Sequence, residues 1–440
     1  MIAPRLNRQL LELESYEPTV EALCRAWDSE KNVKRLWGLD QNLWTGKDES
    51  SWLGWLHVVE RQISSLSTLN SLQSEIEQEQ FMHAVVLGMG GASLCPELMS
   101  KAFPPCQGFP KLSILDSTDP GQISLLEKEF GTAKTLFIVA SKSGKTLETN
   151  MLESYFFEKV ADGSRFLAIT DPGTPLEKKA IEKRYWRIFH GEPMIGGRFS
   201  ALSYFGMVPA AVMGLDLERF LDSAKVMVLA CGEEVAPSNN PGVMLGLTLA
   251  ALARSGRDKI TFVTASNLRH FGAWLEQLLA ESTGKDGMGI LPIDLEPNCE
   301  ADAYGDDRVF VRFCLAGSEY PPVPKAHPVI SIEMDSIYEL SQEFFRWEIA
   351  VAVASAVLGL NPFDQPQVEL TKVRTRELIQ RGDEVVGLQS GNVRVLLPSD
   401  VNIDSFLDQL AEGDYCAIMA YVVRTKENEN LLQEIRKYNI

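Results

Sequence analysis

Five short segments carry residue types that could do chemistry, and each lies where one regular apolar period gives way to another. The densest is Ser141-Lys142-Ser143-Gly144-Lys145-Thr146. Hydroxyls, a lysine and free backbone amides at the start of a helix form an anion site. The segment ends like a nucleotide-binding P-loop, but the glycine that should open GxxxxGK[ST] falls at position 139, which is Val. The plain alternative is N-capping of the helix by Ser143 or Thr146. The clustering of two serines, a lysine and a threonine favours a phosphate.

Gly88-Met89-Gly90-Gly91-Ala92-Ser93 follows an aliphatic run, and its glycines let backbone approach a ligand closely. The third glycine of a dinucleotide fingerprint would fall at 93, which is Ser, so a ligand cradle and a tight turn stay equally open. In Gly196-Gly197-Arg198-Phe199-Ser200 an arginine behind paired glycines could reach into a cleft or form a surface ion pair. In the segment 276–285, Trp274, Leu275, Leu278 and Leu279 give a helix its apolar face, and Glu281 ends it before a Ser-Thr-Gly stop. A helix C-terminus carries the negative end of the macrodipole, a setting that suits a general base, although position alone describes an ordinary solvated glutamate equally well. Asn361-Pro362-Phe363-Asp364-Gln365-Pro366 reads as a turn between two helices, with Glu369 and Lys372 on the second.

The elements that must position these segments alternate. Strands are expected at 84–87, 112–116, 136–140, 166–170 and 187–189, then at 260–264, 290–293, 309–314 and 329–332, with amphipathic helices between them. One such helix spaces Leu147, Met151, Leu152, Tyr155 and Phe156, and another runs over 337–360. Strand, helix, strand at this spacing predicts an α/β chain with two doubly wound parallel sheets. The expected division is a helical leader without strand signals (1–60), a first domain with the serine loop (61–235), a second with Glu281 and the last helix (236–398), and an α/β appendage (399–440) of unassigned role. Residues 236–242, APSNNPG, read as a loop or hinge between the domains. Ligands of open parallel sheets bind outside the carboxyl ends of strands, which is where the first two loops fall.

Composition narrows the partners. Of 440 residues, 45% are hydrophobic and 23% charged, so the chain is globular rather than disordered. A formal net charge of −18 argues against nucleic acid or an anionic membrane surface, and requires an anionic ligand to meet positive potential made locally. Seven scattered cysteines without a CxxC pair read as reduced thiols, not as zinc ligands or disulfides. Residues 1–14 lack the apolar core of a signal peptide, and the run 349–360 is too short to span a bilayer, so a cytoplasmic location is expected.

Taken together, the five segments resemble the phosphoglucose isomerase family, whose members carry two sugar-isomerase (SIS) domains. GMGGAS resembles the family's GIGGS, SKSGKTLET its SKTxTTxET, GGRFSALSYFGMVPAA its GGRYSxxSxxGxxP, EQLLAESTGK its QLxxESxGK, and NPFDQPQVELTK its NSFDQxGVELGK. LWTGKDESSWLGWL and GDYCAIMAYVVRT look closest to the isomerase half of bacterial transaldolase–isomerase fusions, with no transaldolase portion among these residues. The resemblance implies interconversion of D-glucose 6-phosphate and D-fructose 6-phosphate through a cis-enediolate, with no metal or redox cofactor. It gives Glu281 the role of base and Arg198 that of stabilising the enediolate. Ser141, Ser143 and Thr146, with the Lys142 backbone and the Gly90–Gly91 loop, would hold the phosphate end. Gln365 and Lys372 would reach the phosphate and sugar hydroxyls.

Two departures stand out. Ala92 replaces the serine of the family's first loop. The family's LIHQG segment, whose histidine assists ring opening from a neighbouring subunit, has no counterpart. Of five histidines only His327 lies near enough in sequence to stand in, although its ordinary reading is structural. A homodimer is the assembly the resemblance allows. Other readings are activity on mannose 6-phosphate as well, or a sugar-phosphate sensor, against which a base and an arginine both speak. Val139, and the lack of a metal-binding aspartate other than Asp116, disfavour an NTPase.

Overall fold

Among the described residues ten strands build two five-stranded sheets. The computed structural model describes residues 8–130, 134–265, 268–297, 304–381, 408–411 and 414–437. Two units separate by their internal contacts: Met1–Phe363 with Arg424–Ile440, and Asp364–Val423. The first holds both sheets. The second contains the helix Pro366–Arg381.

In chain order the strands are β1 (Gln9–Glu12), β2 (His83–Gly88), β3 (Lys111–Leu115), β4 (Thr135–Ala140), β5 (Phe166–Thr170), β6 (Arg187–His190), β7 (Lys259–Thr264), β8 (Leu291–Ile293), β9 (Arg308–Leu315) and β10 (Val329–Met334). The first sheet has the order β3-β2-β4-β5-β6 and is wholly parallel. The second has the order β1-β10-β9-β7-β8, parallel except for β1. All of β4 and β5 is buried, as expected of parallel strands covered on both faces. The two-sheet α/β architecture read from the sequence is therefore present, with each of the nine expected strands within two residues of its expected ends.

Three local expectations change. The leader was read as free of strands, yet Gln9–Glu12 pairs antiparallel with β10, Leu10 opposite Ser331. Four residues, alternately half-buried and exposed, are too few to show a period; the open edge of β10 makes them a strand. On the helix Leu147–Val160 only Leu152 and Phe156 of the expected apolar set are buried, while Leu147, Met151 and Tyr155 are exposed. The spacing holds two adjacent stripes, and Phe137 takes up one by stacking on Phe156. Third, 236–242 turns directly into the helix Pro241–Arg254, capped by the fully buried Asn240 side chain on the Val243 amide at 3.0 Å.

That helix packs against Leu340–Leu358 so closely that a Cβ on Gly246 would lie 2.4 Å from the Ala350 carbonyl oxygen. The Leu340–Leu358 helix ends at Gly359, in the left-handed conformation that favours glycine, and delivers the turn at 361–363.

Candidate active site

Strands β2 and β4 are neighbours paired from His83–Thr135 to Gly88–Ala140, so the loops 88–93 and 141–146 leave one sheet edge side by side. In the serine loop, Ser141 is 3% exposed and its Oγ lies 2.9 Å from Thr146 Oγ1. Ser143 is exposed, and its Oγ accepts from the Lys145 amide at 3.2 Å. Thr146 stands at the cap position of Leu147–Val160 but makes no side-chain capping bond, so the helix amides remain open to a ligand. The Lys142 ammonium turns away, paired with Asp171 and bonded to the carbonyls of Glu192 (3.1 Å) and Pro193 (3.2 Å). Its backbone, not its charge, is what it offers the loop.

The glycine loop meets the arginine segment. A Cβ on Gly91 would lie 2.0 Å from the Gly197 carbonyl oxygen, so residue 91 must be glycine for the two to touch. Gly90 has φ +58° and faces Gln277. Gln277 and Glu281 sit one turn apart on Phe271–Thr283, with Gln277 Nε2 3.5 Å from Glu281 Oε1. Burial of Phe271, Trp274, Leu275, Leu278 and Leu279 fixes that helix and leaves the Glu281 side chain 32% exposed.

Arg198, 5% exposed, completes the cluster. Its Nε is 3.1 Å from Glu281 Oε2, its first terminal nitrogen donates to Ser282 Oγ (2.8 Å) and the Pro362 carbonyl (2.7 Å), and its second donates to the Phe363 carbonyl (3.0 Å). Lys285 bonds the Asn361 carbonyl at 2.5 Å. A fixed cation beside a partly open carboxylate can move a proton on carbon while stabilising the oxyanion that results. Ser282 and the carbonyls of 362 and 363 were not singled out in the sequence, since a backbone acceptor leaves no residue-type signal.

The structure brings Gly90, Gly91, Arg198 and Glu281 together, with the Ser141–Thr146 loop on the neighbouring strand. Gln365 and Lys372 belong to the second unit, Gln365 just ahead of its helix and Lys372 exposed upon it. His327 is not beside Glu281. It precedes β10, three strand positions from β8 on which the Glu281 helix packs, a separation of roughly 14 Å at about 4.8 Å per strand. There it lies 3.4 Å from Arg257 and edge-on to Phe310, and burial followed by Arg257 pushes its pKa down.

A separate cavity of about 810 Å³ opens at the carboxyl ends of β7 and β8 and is lined by Thr261, Phe310, Pro321 and Pro322 among others, but by none of the residues above. Arg269 and Lys437 also line it, and it stands apart from the Arg198–Glu281 cluster. Among the described residues no group of three or more His, Cys, Asp or Glu is placed to hold a metal, and no helix is long and apolar enough to cross a membrane.

Two five-stranded sheets, parallel but for β1, with a glycine loop and a serine loop at the carboxyl edge of the first, define an α/β fold of two doubly wound halves. The chain's fold is that of a hypothetical protein, TT0462, from Thermus thermophilus, at a TM-score of 0.68 and 22% identity over 84% of this chain and 99% of that one. Residues 71–289 match the family model for phosphoglucose isomerase. A glucose-6-phosphate isomerase of Carboxydothermus hydrogenoformans is 30% identical over 254 residues, 54% of this chain and 54% of its own. One of Synechococcus elongatus is 26% identical over 400 residues, 79% of this chain and 74% of its own. The chain thus spans about half the length of the first relative and about three quarters of the second. Residues 71–289 form a phosphoglucose isomerase domain by that match, and the relatives that align beyond it bear the same name.

Proposed function

We propose that the protein interconverts D-glucose 6-phosphate and D-fructose 6-phosphate in the cytoplasm. The observation that carries this reading is the Glu281 carboxylate, partly open and 3.1 Å from a buried arginine, beside the glycine loop, with the hydroxyl-rich loop 141–146 on the neighbouring strand. The names of the relatives point the same way. The phosphate is taken by Ser141, Ser143, Thr146 and the Lys142 backbone, where a helix start offers amides to an anion despite the acidic chain. The resemblance assigns Gln365 and Lys372 to the phosphate and sugar hydroxyls. Glu281 removes a proton from C1 of the open-chain ketose, the electron pair forms the C1–C2 double bond of a cis-enediolate, and O2 takes the negative charge beside Arg198. The O1 proton passes to O2, the same carboxyl returns its proton to C2 as the C1–O1 carbonyl forms, and the aldose has the same atoms and electrons as the ketose, so the step is redox-neutral overall. Ring opening precedes this cycle, and the resemblance assigns it to a histidine from a neighbouring subunit.

The test is isotopic. Incubated with fructose 6-phosphate in D₂O, the protein should yield glucose 6-phosphate bearing deuterium at C2, seen by proton NMR, because a carboxyl shuttle exchanges with solvent. No glucose 6-phosphate, with the sugar phosphate bound, would overturn the isomerase reading in favour of a sensor.

A further inference from the structure

Arg198 owes its geometry to the turn 361–363, since two of its four named partners are carbonyls of that turn. What fixes the turn is Asn361, 4% exposed. Its Oδ1 accepts from the Phe363 amide at 2.9 Å, closing the turn, and its Nδ2 donates to Asp48 Oδ1 at 3.0 Å. Asp48 lies in the leader, more than 300 residues away in sequence. Its other oxygen accepts from Trp52 Nε1 at 3.0 Å.

The leader is itself anchored to the segment that carries Arg198. Leu53 bridges Ile195, the Gly54 amide donates to the Met194 carbonyl at 3.0 Å, and Trp55 lies against Phe199 with ring centroids 5.2 Å apart. One short stretch of the leader therefore holds both the segment just ahead of the arginine and the turn that supplies its acceptors.

The geometry points to Asp48 as a positioning residue for Arg198, acting through Asn361. The inference rests on the isomerase reading above. An asparagine amide released from Asp48 can rotate, the Asx closure loosens, and the carbonyls of 362 and 363 no longer aim the guanidinium at the oxyanion. Small displacements of this kind cost turnover rather than binding.

Steady-state kinetics on the full chain, from fructose 6-phosphate to glucose 6-phosphate, test this. Asp48→Ala should lose about tenfold in kcat with KM held within about twofold. Asp48→Asn, which keeps an oxygen in place, should recover most of the loss, and Trp52→Phe, which removes only the other donor to Asp48, should keep wild-type kcat. The Asp48→Ala effect should vanish in an Arg198→Lys background, because the two act through one group. Full kcat in Asp48→Ala beside a crippled Arg198→Lys would overturn the proposal and leave the isomerase reading standing, as would a melting temperature that falls without any split between kcat and KM. Full activity in Arg198→Lys would remove both. If Asp48→Ala does not fold, Asn361→Ser, which lacks the amide that Asp48 holds, replaces it with the same expected outcomes.

Discussion

Arg198 Nε lies 3.1 Å from Glu281 Oε2, and both terminal nitrogens of the same guanidinium are already bonded to Ser282, Pro362 and Phe363. The arginine is therefore a fixed cation, not a mobile one, and the carboxylate beside it is the group with room to meet a ligand. Fixed charge that needs no reorientation is what stabilises a developing oxyanion best.

A lysine cannot reproduce that planar set of bonds. Arg198→Lys should lower kcat on fructose 6-phosphate by about 100-fold, in the range for loss of one oxyanion donor, with a smaller change in KM. A variant within twofold of wild type would take Arg198 out of the chemistry.

Removing the hydroxyls of the serine loop should act on affinity instead. In Ser143→Ala with Thr146→Ala, Ser141 also loses its 2.9 Å partner. Two lost bonds to a charged phosphate predict at least about tenfold weaker binding of a sugar-phosphate inhibitor by calorimetry, with kcat little altered. Unchanged affinity would place the phosphate elsewhere.

The contact between Gly91 and Gly197 makes a stability prediction. Gly91→Ala puts a methyl 2.0 Å from a backbone oxygen and should destabilise by about 1–3 kcal/mol or more. Gly196→Ala meets nothing within 4 Å and should shift stability by no more than about 0.5 kcal/mol in urea unfolding.

Asp294, just after β8, has its carboxyl pushed up to about 7, first by burial and then by Glu276, against the Leu295 amide and the guanidinium groups of Arg436 and Arg269. Between the unfolded value near ~3.9 and about 7, the folded chain keeps a proton the unfolded chain releases. That stability is full below the lower value and is lost as pH rises through the window. Asp294→Asn should flatten the fall in melting temperature between pH 4.5 and 8 and gain on the order of 1–2 kcal/mol at pH 8. An unaltered pH profile would show that Asp294 does not carry it.

Much of this was legible in the sequence for identifiable reasons. Strands such as Thr135–Ala140, buried on both faces, must be continuous apolar runs, and loops that bring backbones together must hold glycine, as at Gly91. The strand Gln9–Glu12 was not legible because its partner β10, more than 300 residues away, makes it a strand. The link between Asp48 and Asn361 was not legible for the same reason: Asn361 reads only as part of a turn, and the bond joins segments more than 300 residues apart. His327 was suggested by its place in the order of motifs, and chain order does not set distance across a sheet: within one chain three strand positions separate it from β8, while the histidine that the resemblance implies acts from a neighbouring subunit.

The most direct test of the central claim couples the product to an NADP-linked glucose-6-phosphate dehydrogenase, with fructose 6-phosphate as substrate, for the wild-type chain and Glu281→Gln. The account predicts turnover in the wild type and a fall of at least about 100-fold in the variant, with sugar-phosphate binding retained. Comparable turnover in the two would contradict Glu281 as the base, and no turnover in either, with ligand still bound, would contradict the isomerase itself.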